Sequence, residues 1–322
     1  MALPQKTLRD AAALLDAGLI TAAALPALSA LQSRYAIALT PEVQARIASP
    51  DDPVGRQYIP HADEALSQPH EMADPTADAP FTPIKGVVHR YPDRALLKPL
   101  LACPVYCRFC FRREHVGPDG GLLNEAELEA ALGWFAAHPE VGEVILTGGD
   151  PLMLSPRRLA HILGRLAALP HIHTLRIHSR VPVAEPSRIT PELLAALRLE
   201  TPLYLCVHAN HAQEFGPAAG PALRALHGAG VVLLGQSVLL AGVNDSLAAL
   251  EGLLRTMLAH RIKPYYLHAL DAAPGTARFA VPDARALELL RSLRGRVSGL
   301  AWPVFVRETA GGAGKRPLGP AW

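Results

Sequence analysis

From about residue 94 onward, the chain alternates short apolar runs with longer amphipathic stretches. The short runs, each bounded by polar or turn-forming residues, predict buried strands. They cover residues 96–102, 143–147, 174–178, 203–207, 231–234 and 264–268, with 302–306 as a seventh candidate. Three of the intervening stretches begin with helix-start signals, at Asn124-Glu125, Ser155-Pro156 and Thr190-Pro191-Glu192.

Strand and helix follow each other about six times in this region. Such alternation predicts parallel strands that are joined by helical crossovers. The resulting sheet either closes into a full or partial (β/α) barrel or stays open and doubly wound. In both architectures the functional residues are expected at the carboxyl ends of the strands.

The pattern before residue 94 is different. Residues 1–48 predict helices, and Thr40-Pro41-Glu42 supplies an N-cap, a first-turn proline and an early acid for one of them. Residues 49–83 are rich in proline and aspartate and have few periodic apolar positions. This stretch predicts an irregular connector that wraps around the protein and is not a core element.

Composition and charge narrow the function classes. The chain has 322 residues, 50% of them hydrophobic and 19% charged, which predicts a sizeable folded core. A net charge of +2 gives no electrostatic reason to expect nucleic-acid or membrane-surface binding. The sequence lacks a long uncharged apolar stretch and a basic segment followed by an apolar run, so neither a membrane span nor a secretion signal is expected.

Cysteine usage carries the strongest chemical signal. The chain has four cysteines, too few for a disulfide framework, and three of them form Cys103-Pro-Val-Tyr-Cys107-Arg-Phe-Cys110 after the first predicted strand. Thiolates are soft ligands that suit zinc or an iron–sulfur cluster. A zinc site would need a fourth ligand, for which His115 is the near candidate. The remaining alternative to a metal site is three core cysteines that are clustered by chance. A metal site of this kind predicts a reducing, cytoplasmic location.

A second motif follows the next predicted strand, at Thr147-Gly148-Gly149-Asp150-Pro151. Together with CxxxCxxC, it resembles the radical S-adenosylmethionine superfamily. The resemblance implies a [4Fe-4S] cluster on Cys103, Cys107 and Cys110, whose open iron binds S-adenosylmethionine. It also implies that the backbone at Gly148, Gly149 and Asp150 holds the methionyl amine, since glycine lets a backbone approach a ligand closely.

The resemblance narrows to the lysine 2,3-aminomutase family and extends over most of the chain from about residue 52. Besides the cysteine motif with Phe111-Arg112-Arg113, the similar segments are 86–94, 175–182, 208–211, 236–240, 243–245, 264–271 and 311–318. The implied fold is α/β, a partial (β/α)6-type radical S-adenosylmethionine barrel with an amino-terminal helical extension and a short carboxyl-terminal segment. The implied divisions are 1–85 for the wrapping region, 86–300 for the barrel and 301–322 for the segment with the cofactor lysine.

Family members use pyridoxal 5′-phosphate together with the radical to move an amino group between adjacent carbons. The resemblance implies that Lys315 forms the cofactor imine and that Arg90 and Arg94, with Tyr91, hold the cofactor phosphate. Paired guanidinium groups suit a phosphate. Gly314-Lys315 is not a P-loop, because that motif needs Ser or Thr after the lysine and a following helix.

Further residues are implied for the two small molecules. His208 and Gln236 resemble polar residues that line the S-adenosylmethionine pocket. For the substrate, Arg112 resembles the arginine that pairs with the carboxylate, with a structural ion pair as its alternative. Asp271 and Glu308 resemble the acids that face the ε-ammonium of lysine, although the family more often has Asp where this chain has Glu308. His178 is expected to be structural or exposed.

The implied activity is conversion of L-lysine to β-lysine, that of an isomerase. The first alternative is the same migration on a lysyl residue of elongation factor P, a branch towards which Phe111, His268 and Glu308 lean. Glutamate 2,3-amino migration is disfavoured because Asp271 and Glu308 would repel a second carboxylate. A non-catalytic iron–sulfur or zinc module is the alternative from another class.

Partners follow from the same resemblance. The chemistry implies an electron donor such as flavodoxin or ferredoxin, no nucleic acid and no membrane, and it leaves homo-oligomer formation open. Longer family members bind a structural zinc through later cysteines and one after an Asn-Asp pair. This chain has Ser246 after Asn244-Asp245, so no zinc is expected.

Overall fold

The computed structural model describes residues 6–310 and 314–319. Residues 311–313, part of the glycine-rich stretch before Lys315, lie outside the described residues, as do 1–5 and 320–322. The described part forms one nine-stranded sheet whose spatial order follows the chain. Its strands are β1 (Val87–Tyr91), β2 (Arg94–Leu100), β3 (Glu143–Gly148), β4 (Thr174–Ser179), β5 (Leu203–His208), β6 (Val232–Val238), β7 (Lys263–His268), β8 (Val304–Arg307) and β9 (Arg316–Gly319).

Eleven α-helices precede or connect these strands in the described residues. They are α1 (Ala11–Asp16), α2 (Leu25–Gln32), α3 (Pro41–Gln44), α4 (Gly55–Tyr58), α5 (Glu125–Ala136), α6 (Pro156–Ala167), α7 (Val181–Ala184), α8 (Pro191–Ala196), α9 (Ala219–Gly228), α10 (Leu247–Ala259) and α11 (Asp283–Leu293). Short 3₁₀ turns cover Ala62–Ala65, Ala79–Phe81, Pro151–Met153, Pro186–Arg188, Ala212–Glu214, Ala277–Phe279 and Gly299–Ala301. None of the described helices has both the length and the apolar character needed to cross a bilayer.

The seven strands from β2 to β8 are parallel, whereas β1 and β9 pair antiparallel at the two ends of the sheet. Crossovers containing α5, α6, α8, α9, α10 and α11 join the parallel strands. This arrangement confirms the predicted partial (β/α)6-type barrel, in which β8 follows the sixth unit. The doubly wound alternative is wrong, because the strand order never reverses.

The predicted helix starts coincide with capping side chains. Asn124, Ser155 and Thr190 each accept a hydrogen bond from a backbone N–H of the first turn of α5, α6 and α8. Thr40 does the same for α3, with Pro41 at the first helical position. These side chains satisfy donors that the helix itself leaves unpaired, and they therefore fix where each helix begins.

Two apolar clusters position the site. The larger one lies between the sheet and its outer helices; α6, for example, buries Leu159, Ile162, Leu163 and Leu166. The second belongs to the amino-terminal region, where Leu14, Tyr35 and Tyr58 pack with Val105 of the cysteine motif. The amino-terminal region therefore covers the loop that carries the three cysteines.

The prediction failed at the two ends of the sheet. β1 and β9 were not predicted, and β2 begins and ends two residues earlier than the predicted strand 96–102. The pairing of β1 is interrupted by a register shift between Val88 and Tyr91. β9 has four residues and contains Pro317, which an edge strand tolerates because one side of its backbone needs no ladder partner. The division at residues 85 and 300 stays a prediction.

Candidate active site

A cavity of about 490 Å³ opens at the carboxyl ends of the parallel strands and extends into the barrel. Every residue that the sequence analysis assigned to the site lines it. The lining includes Cys103, Cys107, Cys110, Gly148, Gly149, Asp150, His208, Gln236, Arg112, Asp271, Glu308, Lys315, Arg90, Tyr91 and Arg94. Residues that are more than 200 positions apart thus share one space because consecutive strands deliver them to one rim.

Cys103, Cys107 and Cys110, here named the cysteine wall, lie in the loop that follows β2. All three are free thiols and partly buried. Burial raises the pKa of each thiol, that of Cys107 to about 12, and charges on the neighbouring sulfurs raise the pKa of Cys103 and Cys107 further. A cationic metal centre would reverse these shifts by replacing the thiol protons.

The spacing of the cysteine wall distinguishes between metal centres. In the described residues, only one set of three possible metal ligands has all its ligand atoms within 4.8 Å of one another. That set is Glu125, Glu129 and His161, and it is exposed. The three cysteine sulfurs therefore do not all lie within 4.8 Å of one another. A single zinc ion, with Zn–S bonds of about 2.3 Å, would draw its thiolates closer than this. The wall fits a larger cluster better than one ion.

A buried carboxylate from the amino-terminal connector holds the cysteine loop in place. Arg108 donates to Glu64 at 2.6 Å, and Arg113 pairs with the same oxygen. Glu64 has no exposed surface, and its pKa stays below the ordinary value because these arginines outweigh the desolvation that opposes them. The connector was predicted to lie outside the core, and that prediction is wrong at Glu64. No local sequence signal identified Glu64, because its arginine partners lie more than 40 residues away.

The Gly148-Gly149-Asp150 turn joins three loops. A Cβ atom on Gly149 would lie 2.3 Å from the carbonyl oxygen of Ala102, and Gly148 has φ +101°. The glycines therefore let this turn approach the strand that leads to Cys103, which is a reason for glycine that the sequence analysis did not consider. Asp150 accepts hydrogen bonds from Ser179 Oγ at 2.8 Å and from the Arg180 N–H at 2.7 Å.

Arg180 was missed by the sequence analysis although it lies within a segment that carries the family resemblance. Its Nη1 donates to Glu214 at 2.6 Å and also contacts the hydroxyl of Tyr58. Its Nε and Nη2 are buried without a partner in the described structure, and the side chain lines the cavity. Nearby, His208 has a buried, unpartnered Nε2, and its pKa lies well below the ordinary value because of burial and the Arg180 charge. These free nitrogens can bind a polar ligand.

Arg90, Glu308 and Lys315, here named the lysine wall, face the same cavity from β1, from the end of β8 and from the start of β9. Glu308 Oε1 accepts from Arg90 Nη1 at 2.6 Å, and Glu308 Oε2 accepts from Lys315 Nζ at 2.7 Å. Arg90 also donates to the Ala77 carbonyl at 3.1 Å. The Lys315 backbone N–H donates to the Tyr91 hydroxyl at 2.8 Å, which joins the two edge strands across the opening of the barrel.

The other two predicted phosphate ligands and Arg112 are also partnered. The Arg94 guanidinium lies 3.7 Å from the centre of the Tyr91 ring and pairs with Asp93 at 2.7 Å. Arg112 pairs with Asp78 at 3.0 Å, which is the structural ion pair considered as its alternative. Asp271 is partly buried, and burial together with the Glu308 charge raises its pKa to about 7.

Two histidines complete the lining. His178 and His268 line the cavity with buried Nε2 atoms that have no partner in the described structure, so His178 is not exposed, and a structural role for it stays a prediction. Burial is the main reason that both imidazoles have lowered pKa values, His268 to about 3, and the Lys315 charge adds to it. The signal available from sequence was their position at the ends of β4 and β7.

Comparison with known proteins defines first the class and then the family. Residues 97–247 match the model of the radical SAM superfamily. The fold is similar to that of Streptococcus suis SuiB, solved bound to S-adenosylmethionine. The TM-score is 0.50 at 13% identity, covering 68% of this chain and 48% of that one. The chain therefore contains a radical SAM domain.

The family follows from the curated relatives. The chain is 41% identical to the L-lysine 2,3-aminomutase of Escherichia coli (strain K12), over 84% of its own length and 79% of the relative. It is 38% identical to that of Acetoanaerobium sticklandii, over 85% of its own length and 66% of the relative. The chain belongs to the lysine 2,3-aminomutase family. It spans slightly less than two thirds of the longer relatives, 64% of the Fusobacterium nucleatum protein for example.

Proposed function

We propose that the chain is a radical S-adenosylmethionine isomerase that uses pyridoxal 5′-phosphate to convert L-lysine to β-lysine. One observation carries this proposal: a single cavity contains three free cysteines, one lysine and a pair of acids, Asp271 and Glu308. Each group matches one need of the reaction, namely a cluster, a covalent cofactor anchor and charge compensation for a cationic side chain.

The cysteine wall supports a [4Fe-4S] cluster with three thiolate ligands. One iron would remain open for the amino and carboxylate groups of S-adenosylmethionine. The unpartnered nitrogens of Arg180 and His208, together with Gln236 and the backbone at Gly148 and Gly149, are the polar groups available to that molecule. The cluster requires an electron from a donor of the flavodoxin or ferredoxin class.

The lysine wall supports pyridoxal phosphate. The cofactor, when bound, supplies an aldehyde for amines and a ring that delocalises an unpaired electron. Lys315 would hold it covalently, and Arg90 and Arg94, with Tyr91, would hold its phosphate. The unpartnered nitrogens of His178 and His268 offer neutral hydrogen-bonding groups in the same cavity.

The substrate would lie between the two walls. Arg112 would pair with its carboxylate, while Asp271 and Glu308 would face its side-chain ammonium. Asp78 keeps Arg112 oriented and leaves the Arg112 Nε without a protein partner in the described structure. Enclosure in the barrel keeps water away from a radical and holds the reacting carbon near the radical source.

A second candidate is the same migration on a lysyl residue of elongation factor P. Phe111, His268 and Glu308, the residues that resemble this branch, all line the cavity and favour this candidate. A glutamate substrate is disfavoured, because Asp271 and Glu308 would repel its second carboxylate.

The test is an anaerobic assay that offers both substrates. Protein reconstituted with iron, sulfide and pyridoxal phosphate receives S-adenosylmethionine and dithionite, and free L-lysine is supplied beside unmodified elongation factor P. Chromatography and mass spectrometry follow β-lysine in both pools. β-Lysine from the free amino acid supports the proposal, turnover only on the protein supports the second candidate, and deoxyadenosine without either product excludes both substrates.

A further inference from the structure

Glu308 is fully occupied by cations in the described structure. Each of its two carboxylate oxygens accepts a charged hydrogen bond, one from Arg90 and one from Lys315. The Arg90 side chain is 6% exposed and that of Glu308 14% exposed, so water cannot readily replace either partner. Lys315 is 29% exposed and is the more accessible of the two cations.

These two cations are the groups that the proposed cofactor would claim. Its phosphate would compete with Glu308 for Arg90. The Lys315 ammonium must first lose a proton to solvent, and the neutral amine then forms a carbon–nitrogen double bond with the aldehyde carbon while one water leaves. Capture of the cofactor therefore removes both hydrogen-bond donors from the Glu308 carboxylate.

The neighbouring carboxyl group of Asp271 makes the loss of these two donors unfavourable. Asp271 lies close enough to Glu308 for the Glu308 charge to raise its pKa, whereas the Lys315 charge lowers it. Arg112 and Arg307 also lower the pKa of Asp271, but neither hydrogen-bonds Glu308 in the described structure. Once both charged donors have left, the Glu308 carboxylate beside Asp271 is unstable unless one acid takes up a proton or a new cation arrives. A substrate with a cationic side chain supplies that cation.

We propose that Glu308 couples cofactor loading to amine binding: Lys315 and Arg90 close the acidic pair before loading, and capture of pyridoxal phosphate opens it for the substrate ammonium. The inference rests on the proposed function, since it requires that Lys315 binds the cofactor. Binding is therefore ordered, with the cofactor first. Before loading, the Lys315 ammonium stabilises the acidic pair, because it binds the Glu308 carboxylate that the substrate ammonium will bind later.

The test measures binding rather than turnover. Dimethylbutylammonium is a suitable probe, because it carries one N–H donor and cannot condense with an aldehyde. Calorimetry compares its affinity for protein with and without pyridoxal phosphate, in the absence of S-adenosylmethionine. We expect the loaded protein to bind the probe at least about tenfold more tightly, and linkage requires the probe to tighten cofactor binding by the same factor.

Three variants make the result specific. Glu308→Gln keeps the shape but removes the charge, so the preference for the loaded protein should disappear. Glu308→Asp keeps the charge with a shorter reach and should retain part of the preference, even if Glu308→Gln folds poorly. Glu288→Gln, at an exposed pair with Arg285 on α11, is the matched control and should leave the preference unchanged.

The failure of this inference and the failure of the proposed function give different results. A normal imine absorbance band with equal probe affinity in both forms overturns the coupling and leaves the cofactor assignment intact. Absence of the band, or its persistence in Lys315→Ala, overturns the cofactor assignment itself.

Discussion

The cysteine wall and the lysine wall are held in opposite ways. Behind the cysteine wall, Glu64 binds Arg108 and Arg113, and none of these side chains lines the cavity. On the lysine wall, Arg90, Glu308 and Lys315 pair with one another and all three line the cavity. The first ion-pair network fixes a loop from behind, whereas the second can exchange its partners for a ligand.

This difference separates two tasks. A cluster that passes an electron requires ligands that keep their positions. A cofactor that is captured covalently and then meets a substrate requires side chains that can change partners. Substitutions on the two walls should therefore have separable effects on iron content and on cofactor binding.

The largest expected effect is on the cysteine wall. Cys107→Ala removes one of the proposed cluster ligands and should abolish formation of 5′-deoxyadenosine from S-adenosylmethionine, which chromatography would detect. Pyridoxal phosphate should still bind through Lys315, giving the imine absorbance of the unsubstituted protein. Unchanged cleavage of S-adenosylmethionine would remove the cluster from the proposed function.

The corresponding substitution on the lysine wall is Lys315→Ala. The variant should lose the imine absorbance, and borohydride reduction should no longer fix the cofactor to the protein. β-Lysine formation should fall below detection, since the nucleophilic amine is absent. Iron and sulfide contents should stay at the level of the unsubstituted protein. A loss of iron equal to that of Cys107→Ala would show that the walls are not independent.

A smaller effect is expected behind the cysteine wall. Glu64→Gln leaves Arg108 and Arg113 as buried cations without a counter-charge, which costs about 3–5 kcal/mol of unfolding free energy. Thermal unfolding and iron content would both report the loss. Glu129→Gln, at the exposed pair with Arg165, is the control and should leave the free energy of unfolding nearly unchanged, because exposed ion pairs contribute little. Similar costs in the two variants would contradict the buried network.

The smallest effect concerns pH. The folded-state pKa of Asp271 is about 7, above the ordinary value of about 3.9, because of burial and the Glu308 charge. The folded protein binds this proton more tightly than the unfolded chain, so stability falls as pH rises from about 4 to 7. At pH 8, the free energy of unfolding of Asp271→Asn should therefore exceed that of the parent by at least about 1 kcal/mol, with a higher unfolding temperature, and the gap should close as the pH falls to about 4.

The control for this pH dependence has the opposite sign. The Arg307 guanidinium lowers the pKa of Asp283 on the surface, so Asp283→Asn should lose a little stability at pH 8. Differential scanning calorimetry of cofactor-free protein at the two pH values would measure both variants. An Asp271→Asn curve parallel to that of the parent would show that Asp271 titrates normally.

The sequence predicted the parts of the fold that depend on local pattern. Buried parallel strands are continuous apolar runs, and N-cap residues lie next to the helices they cap, so β3 to β7 and the starts of α5, α6 and α8 could be found. The edge strands β1 and β9 could not, because both are short and pair with a register shift, and β9 also contains a proline and a glycine.

The site residues divide in the same way, into those that a local motif indicates and those that depend on distant partners. Cysteine spacing and the family resemblance identified residues that all line one cavity. Glu64 and Arg180 were missed because their importance comes from partners distant in sequence, Arg108 for the one and Glu214 for the other. The position of His178 on the cavity wall was not predicted, because alternation along a strand does not reveal which face borders an open cavity.

The hydrogen bond from the Lys315 backbone to the Tyr91 hydroxyl joins the two edge strands of the sheet with residues that are synthesised well after the cysteine loop. About two hundred residues separate Cys110 from Lys315. A ribosome that adds about 5–20 residues per second completes the cysteine loop roughly 10 to 40 seconds before it adds Lys315, the proposed cofactor lysine. During synthesis, iron and sulfide can therefore meet their proposed ligands long before pyridoxal phosphate can meet its proposed lysine.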